Sequence, residues 1–223
     1  MRFALFFFLF LAACGRPLTP AEKSFATQIH GDTINTDTIR FVRGAPVGSV
    51  TYKRQKRPRV ACRERILPEP KEEIVTVSPA AMALHSRIFY SKDYYLENYL
   101  QDYPDRVYLL EAMIFAHEIT HIWQWQNRKV TGYSPLKAMR EHATIDDPYL
   151  YDVATKNRFL DYAYEQQASI VEEFVCCATL DPTAPRTKRL EDMLRGAFPV
   201  QNLNIADDIR IPWKDAKING ICR

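Results

Sequence analysis

Residues 116–124 read Ala-His-Glu-Ile-Thr-His-Ile-Trp-Gln and stand near the end of an apolar run over residues 107–125. An apolar run without a polar face predicts a buried helix. His117 and His121 are four positions apart, so on a helix both imidazoles point to one side and can reach one metal ion. Glu118 can reach a water molecule on that ion, which makes it the candidate general base. The alternative is a pair of core histidines held by ordinary hydrogen bonds.

A second long helix is predicted over residues 155–180, where Asp181-Pro182 ends the helical pattern. The helix carries four acidic residues: Asp161, Glu165, Glu172 and Glu173. The first three fall along one side at spacings of four and seven. A third metal ligand is therefore expected on this helix.

Shorter elements surround these two helices. Strands are predicted at residues 38–42, 49–52, 74–77 and 87–90, the first two forming a hairpin with a loop of about six residues. Ser78-Pro79 is typical of a helix start and predicts one or two helical turns to about His85.

The limits of the central helix also have signals in the sequence. Pro104 and Asp105 are expected in its first turn, and Gly132 is expected to end it. Ser134-Pro135 predicts a further helix to about His142. The expected fold class is α+β and mainly helical, with a central helix that carries the histidines, a second helix that carries the acids and a small antiparallel sheet.

The N-terminus resembles a bacterial lipoprotein signal. A short positive start and a nine-residue apolar stretch precede Leu11-Ala12-Ala13-Cys14, and that stretch is too short to span a bilayer. The resemblance implies a signal peptide at residues 1–13, acylation of Cys14, a tether at residues 14–21 and a single domain at residues 22–223. Gly15 after the cysteine resembles lipoproteins sorted to the outer membrane of Gram-negative bacteria. The expected location is thus the cell envelope, with the membrane as partner through Cys14.

The other four cysteines indicate two disulfides. They are Cys62, Cys176, Cys177 and Cys222. An even number in an exported chain favours disulfides, and adjacent cysteines rarely bond each other. Cys176 and Cys177 are therefore expected to pair separately with Cys62 and Cys222, in either order. A zinc site built from cysteines is the less favoured alternative, because no CxxC pair is present.

Seven basic residues crowd the segment 53–65, although the net charge of the chain is only +3. They are Lys53, Arg54, Lys56, Arg57, Arg59, Arg63 and Arg65. No aromatic residue is interleaved with them, so no nucleic-acid partner is predicted. A solvated face is the first interpretation, and attraction to anionic lipid head groups is the second.

The two helices together resemble a known class of enzyme. An HExxH helix followed by Glu165-Gln166-Gln167-Ala168 on a later helix looks like a gluzincin, a zinc metallopeptidase whose third ligand is a downstream Glu. The sequence around HExxH, with Ile88 to Tyr90 before it, is similar to the metallopeptidase-like domain found near bacterial contractile injection systems and to Vgr-related lipoproteins. The metzincin extension, a Gly and a third His after His121, is absent.

The resemblance implies roles for particular residues. It makes His117, His121 and Glu165 the ligands of Zn²⁺ and Glu118 the base, while Glu172 remains an alternative third ligand. Asp161 is expected to hold a ligand imidazole. The candidate donors to a transition state are Tyr133, His142, Tyr149, Tyr151 and Tyr162.

Two functions from different classes follow. The first is a zinc-dependent hydrolase that cleaves a peptide or protein substrate in the envelope, with an exposed strand at residues 87–90 to align it. The alternative is a lipid-anchored scaffold or interaction protein whose zinc site is structural or vestigial.

Overall fold

The computed structural model describes residues 15–44, 51–153, 158–205 and 207–223, and it has an α+β fold that is mainly helical. The α-helices are α1 (Pro20–His30), α2 (Cys62–Ile66), α3 (Leu109–Gln126), α4 (Arg128–Thr131), α5 (Pro135–Thr144), α6 (Tyr164–Leu180) and α7 (Pro185–Arg195). The strands are β1 (Arg16–Pro17), β2 (Arg40–Arg43), β3 (Tyr52–Gln55), β4 (Ile74–Val77), β5 (Ala81–Leu84), β6 (Arg87–Tyr90), β7 (Arg106–Tyr108) and β8 (Asp208–Arg210). The expected signal peptide and Cys14 lie outside the described residues.

Helix α3 forms the centre of the molecule and packs mainly against α6. It begins at Leu109, later than expected, because residues 106–108 form β7 and pair with β8. Pro104, expected in the first helical turn, instead follows a cis peptide bond before β7. Gly132, at φ +67°, ends the short α4 rather than α3. None of the helices in the described ranges is both long and apolar enough to cross a membrane.

The main sheet has the order β1-β2-β6-β5 and is mixed rather than antiparallel. β2 pairs with β6 in parallel, with Phe41 opposite Ile88, so the predicted hairpin between the first two strands is wrong. β3 pairs with β4 in a separate two-stranded sheet. The loop expected between β2 and β3 includes residues 45–50, which lie outside the described residues.

Strand β5 replaces the helix that Ser78-Pro79 predicts. Its residues form a hairpin with β6, in which Met82 lies opposite Phe89 and His85 takes a positive φ at the turn. Pairing with an established strand outweighs a local capping signal, because one helical turn contributes little free energy by itself. β5 is an edge strand of the sheet, and it packs beside α3.

Residues 15–21 belong to the domain instead of forming a tether. Arg16 makes two hydrogen bonds with the buried carboxylate of Glu22, at 2.7 and 2.8 Å. That carboxylate also accepts from the backbone N–H groups of Thr19 and Tyr99. A Cβ on Gly15 would lie 2.6 Å from the carbonyl oxygen of Phe41, so close packing requires glycine there independently of any sorting signal.

Two disulfides fasten α6 to distant parts of the chain. Cys62 bonds Cys176, and Cys177 bonds Cys222. This confirms the predicted disulfides and resolves their order. The buried carboxylate of Glu173 adds to the first attachment, since it accepts from the backbone N–H of Cys62 at 2.8 Å.

His30, the last residue of α1, is a core residue. Its ring stacks on Trp123 and packs edge-on against Phe198. Thr120 Oγ1 donates to a backbone carbonyl, so His30 Nε2, 3.4 Å away, is placed to donate to that oxygen. Nδ1 is buried without a hydrogen-bond partner. Burial therefore lowers the pKa of His30 to about 3.

The low pKa of His30 predicts a loss of stability in acid. The unfolded chain takes up a proton near pH 6.5, so the stabilising contribution is complete above that pH and falls as the pH drops toward 3. At pH 5 the loss is about 2 kcal/mol of the free energy of unfolding. Between pH 7 and pH 5, the free energy of unfolding measured in urea is expected to change less favourably in wild type than in His30→Gln, by about 2 kcal/mol. His85→Gln, at an exposed position, is the control and should retain the loss. Equal pH dependence in wild type and His30→Gln would contradict the assignment.

Candidate metal centre

His117 and His121 project from successive turns of α3 toward α6. Both side chains are buried, and their ring centroids are 5.1 Å apart. Glu165, in the first turn of α6, brings Oε2 to 3.3 Å from Nε2 of each ring. These three residues form a group that can bind a metal ion.

The other oxygen of Glu165 faces a third histidine. His142, near the end of α5, places Nε2 2.9 Å from Glu165 Oε1. Its side chain is 41% exposed, so it stands at the mouth of the site. Ser134 caps α5, as its sequence predicts, by accepting from the backbone N–H of Lys137.

The outer ring nitrogens of the two buried histidines are held in place. Gln124 uses its amide N–H groups on the carbonyl oxygen of Tyr164 and on Gln167, so its oxygen accepts from His121 Nδ1 at 2.9 Å. His117 Nδ1 lies 3.3 Å from Glu172 Oε2. In neutral rings with Nδ1 as donor, the form that would bind a metal ion, each Nε2 offers its lone pair to the centre.

Glu172 supports His117 rather than joining the ligand group. Its Oε2 also accepts from Arg63 Nη1 at 2.8 Å, and the positive charge of Arg63 contributes to lowering its pKa against the opposing effect of burial. Glu172, the alternative third ligand, therefore contacts the outer nitrogen of His117 and not the centre.

Asp161 does not take the role expected for it. Helix α6 begins at Tyr164, so Asp161 lies before it, in a short 3₁₀ helix at Phe159–Asp161. Its carboxylate pairs with Arg158 at 2.7 Å. Gln124 and Glu172 hold the two imidazoles instead. Gln124 has a sequence signal, since it is one turn after His121 on the same helix, whereas Arg63 is 109 positions from Glu172 and has none.

The carboxylates make the centre attractive to positive charge. Burial disfavours the charged form of His117, but its hydrogen bonds with Glu165 and Glu172 prevail and raise its pKa to about 10. The charge of Glu165 likewise outweighs burial at His121 and raises its pKa. Burial also opposes the charge of Glu165, yet the three surrounding histidines hold its pKa well below the usual value. A bound cation would balance the negative charge of the same carboxylates.

Glu118 is placed differently from these residues. Its side chain is buried, and Oε2 has no hydrogen-bond partner among the described residues. Burial raises its pKa. Glu118 and His117 line a cavity of about 180 Å³, so the carboxylate borders open space beside the metal-binding group.

Several parts of the fold enclose this cavity. Its floor is α3, with Ile114, His117 and Glu118, and one wall is the loop from Ser78 into β5. The other walls bear the side chains Tyr52, Arg54, Arg57, Arg63, Val77, Tyr149 and Glu172.

The candidate transition-state donors are not all near the centre. Tyr149 lines the cavity, with its ring centroid 5.8 Å from that of His117. Tyr162 donates to the carbonyl oxygen of Asp152, and Tyr151, whose hydroxyl oxygen is buried, lies near Arg186 and Glu173. Tyr133 is buried against the ring of Tyr164. Tyr149 therefore borders the cavity, and His142 contacts Glu165. Tyr133 is also near the centre, since burial raises its pKa and the charges of Glu165 and Glu118 add to that effect.

The sulfurs of Cys62, Cys177 and Cys222 also lie near one another. Cys62 is bonded to Cys176, and Cys177 is bonded to Cys222, so none of the three has a free thiolate for a metal.

Comparison with known proteins finds a similar fold but no matching family. No protein-family model matches the chain, and no curated protein matches it. Among solved structures, the chain is similar to the effector domain of Pseudomonas aeruginosa VgrG2b. The match has 21% identity and a TM-score of 0.51, and it covers 83% of this chain and 84% of that chain. The chain therefore shares the fold of a Vgr-related protein, in agreement with the resemblance in sequence.

Proposed function

We propose that this protein is a zinc-dependent hydrolase that cleaves peptide bonds, of the gluzincin type. The observation that carries the proposal is the meeting of His117 Nε2, His121 Nε2 and Glu165 Oε2 beside the unbonded carboxylate oxygen of Glu118. A structural core would bond that oxygen, because a buried polar atom without a partner costs free energy.

The residues present fit a zinc ion. Two imidazoles and one carboxylate are a ligand set of catalytic zinc sites, which keep a fourth position for water or substrate. Zinc bound there would polarise a substrate carbonyl and lower the pKa of its water toward 7.

Glu118 supplies the proton transfer. Its raised pKa makes it a stronger base than an exposed carboxylate. Because Glu118 lines the cavity beside the metal-binding group, its carboxylate can take a proton from the attacking water and pass it to the leaving amine. Tyr149 and His142 are the donors proposed to stabilise the developing oxyanion.

Strand β5 is proposed to align the substrate. β5 is an edge strand that packs beside α3, and Ala81 lines the cavity, so an extended peptide could pair with its outer edge there. β6, to which the sequence assigned this role, lies inside the sheet between β2 and β5.

The number of ligands favours catalysis over the scaffold alternative. Structural zinc sites are usually closed by four protein ligands. In the described part of the chain, the group around His117 has three, and a cavity opens beside it.

The two disulfides support a location in the cell envelope, because such bonds persist in oxidising compartments. A lipid anchor at Cys14 remains part of this proposal. Labelling with a fatty-acid analogue, with Cys14→Ser as control, would test it.

Metal removal tests the hydrolase. The purified chain is expected to contain about one zinc per molecule and to cleave members of an unbiased peptide library. Treatment with a chelator should abolish the cleavage, and added zinc should restore it. A protein that binds zinc in full but cleaves no peptide would support the scaffold instead, and a protein without metal would contradict both.

A further inference from the structure

The basic segment 53–65 is not the solvated face that its sequence suggests. Arg57 makes two hydrogen bonds with Asp147, at 2.6 and 2.7 Å, and Arg63 pairs with Glu172 and Glu64. Arg59 and Arg65 donate to backbone carbonyls, and Lys56 pairs with Glu69 and Glu73. Most of these charges therefore hold the fold together.

Arg54 is the exception among the three arginines that line the cavity. Among the described residues it has no ion pair with a carboxylate, and its guanidinium donates to the neutral carbonyl oxygen of Gln55 at 2.9 Å. Partial burial and the nearby charge of Arg57 lower its pKa. A guanidinium in such surroundings is stabilised by an additional anion.

Strand β3 directs Arg54 toward the metal-binding group. Alternate residues of a strand face the same side, and Tyr52 and Arg54 both line the cavity that His117 and Glu118 also line. Lys53, between them, is exposed. The cavity is thus lined by a positive charge from β3 and by His117 and Glu118 from α3.

We infer that the cleft binds peptides that carry a carboxylate, and that Arg54 is the residue that recognises it. The inference rests on the proposed function, from which it takes a peptide as the ligand. The carboxylate can belong to an Asp or Glu side chain or to the C-terminus of the peptide. A guanidinium distinguishes such a group from an amide, because only the carboxylate offers charged acceptors for two of its N–H groups.

A set of matched peptides tests the inference by binding. Each hexapeptide carries a single Glu or Gln at one position of an Ala/Ser sequence with blocked ends, and a further pair differs in having a free or an amidated C-terminus. Affinities are measured by calorimetry on zinc-loaded Glu118→Gln protein, so that turnover does not consume the ligand. For at least one pair, the carboxylate peptide is expected to bind about tenfold more tightly.

Three variants in the same background assign the preference to Arg54. Arg54→Gln should reduce it to nearly onefold, and Arg54→Lys should retain part of it because the charge remains. Lys53→Gln removes an equal charge from the exposed side of the same strand and should leave the preference unchanged.

Two results would overturn the inference. One is the absence of a carboxylate preference, or of measurable binding, for every pair. The other is a preference that survives in Arg54→Gln. Cleavage of the same peptides by wild type is measured separately, so a failure of hydrolysis with the preference intact contradicts the proposed function alone.

Discussion

Glu118→Gln is expected to lower the rate of peptide hydrolysis about a thousandfold while the zinc content stays at the wild-type value. Glutamine has nearly the shape of glutamate but cannot take a proton from water at neutral pH. Proton transfer by a positioned side chain contributes about 10²- to 10⁴-fold to catalysis. Because Glu118 is outside the group formed by His117, His121 and Glu165, the change leaves the metal ligands intact.

The stability of this variant adds a second readout. The buried carboxylate of Glu118 has an oxygen without a hydrogen-bond partner, and a neutral amide costs less to bury than a charge. Glu118→Gln should therefore melt at the same temperature as wild type or slightly higher. Glu111→Gln is the matched control, since Glu111 is in the first turn of the same helix and only partly buried. If wild type and Glu118→Gln hydrolysed peptides at the same rate, Glu118 would have no catalytic role.

The core of this site could be predicted because its signals are local. His117, Glu118 and His121 lie within five positions, and the helical period alone puts both imidazoles on one side. The end of α6 at Leu180 and the start of α5 after Ser134 also follow from residues beside them. The choice of Glu165 needed the resemblance to a family, since spacing permits Glu172 equally well.

What could not be predicted depends on contacts between distant segments. The parallel pairing of β2 with β6 joins residues that are more than forty positions apart, and nothing in either strand specifies its neighbour. The helix expected after Ser78-Pro79 failed for the same reason, because pairing with β6 decides the conformation of β5. The ion pairs of the basic segment could not be predicted either, because its partners, such as Asp147 and Glu172, are remote in sequence.

Removal of the Cys62–Cys176 disulfide is expected to weaken both the fold and the metal centre. The bond closes a separation of 114 residues, and a native disulfide of this kind contributes about 2–5 kcal/mol to the free energy of unfolding. It also fixes α2, which carries Arg63 next to Cys62. Arg63 holds Glu172, and Glu172 holds His117. Loosening such an outer contact typically reduces metal affinity about 10- to 100-fold.

The second disulfide provides the matched comparison for this prediction. Cys177–Cys222 closes a separation of 45 residues and ties the C-terminal tail to α6. Cys177 is twelve residues from Glu165, or about 18 Å along the helix, and no residue of the tail contacts the imidazoles in the described structure. Cys177→Ser/Cys222→Ser should therefore lose a similar free energy of unfolding in urea but keep its zinc affinity in a chelator competition. Cys62→Ser/Cys176→Ser should lose both. If the two double variants bound zinc with equal affinity, α2 would have no part in positioning His117. Any loss of zinc affinity would then follow from the lower stability that both variants share.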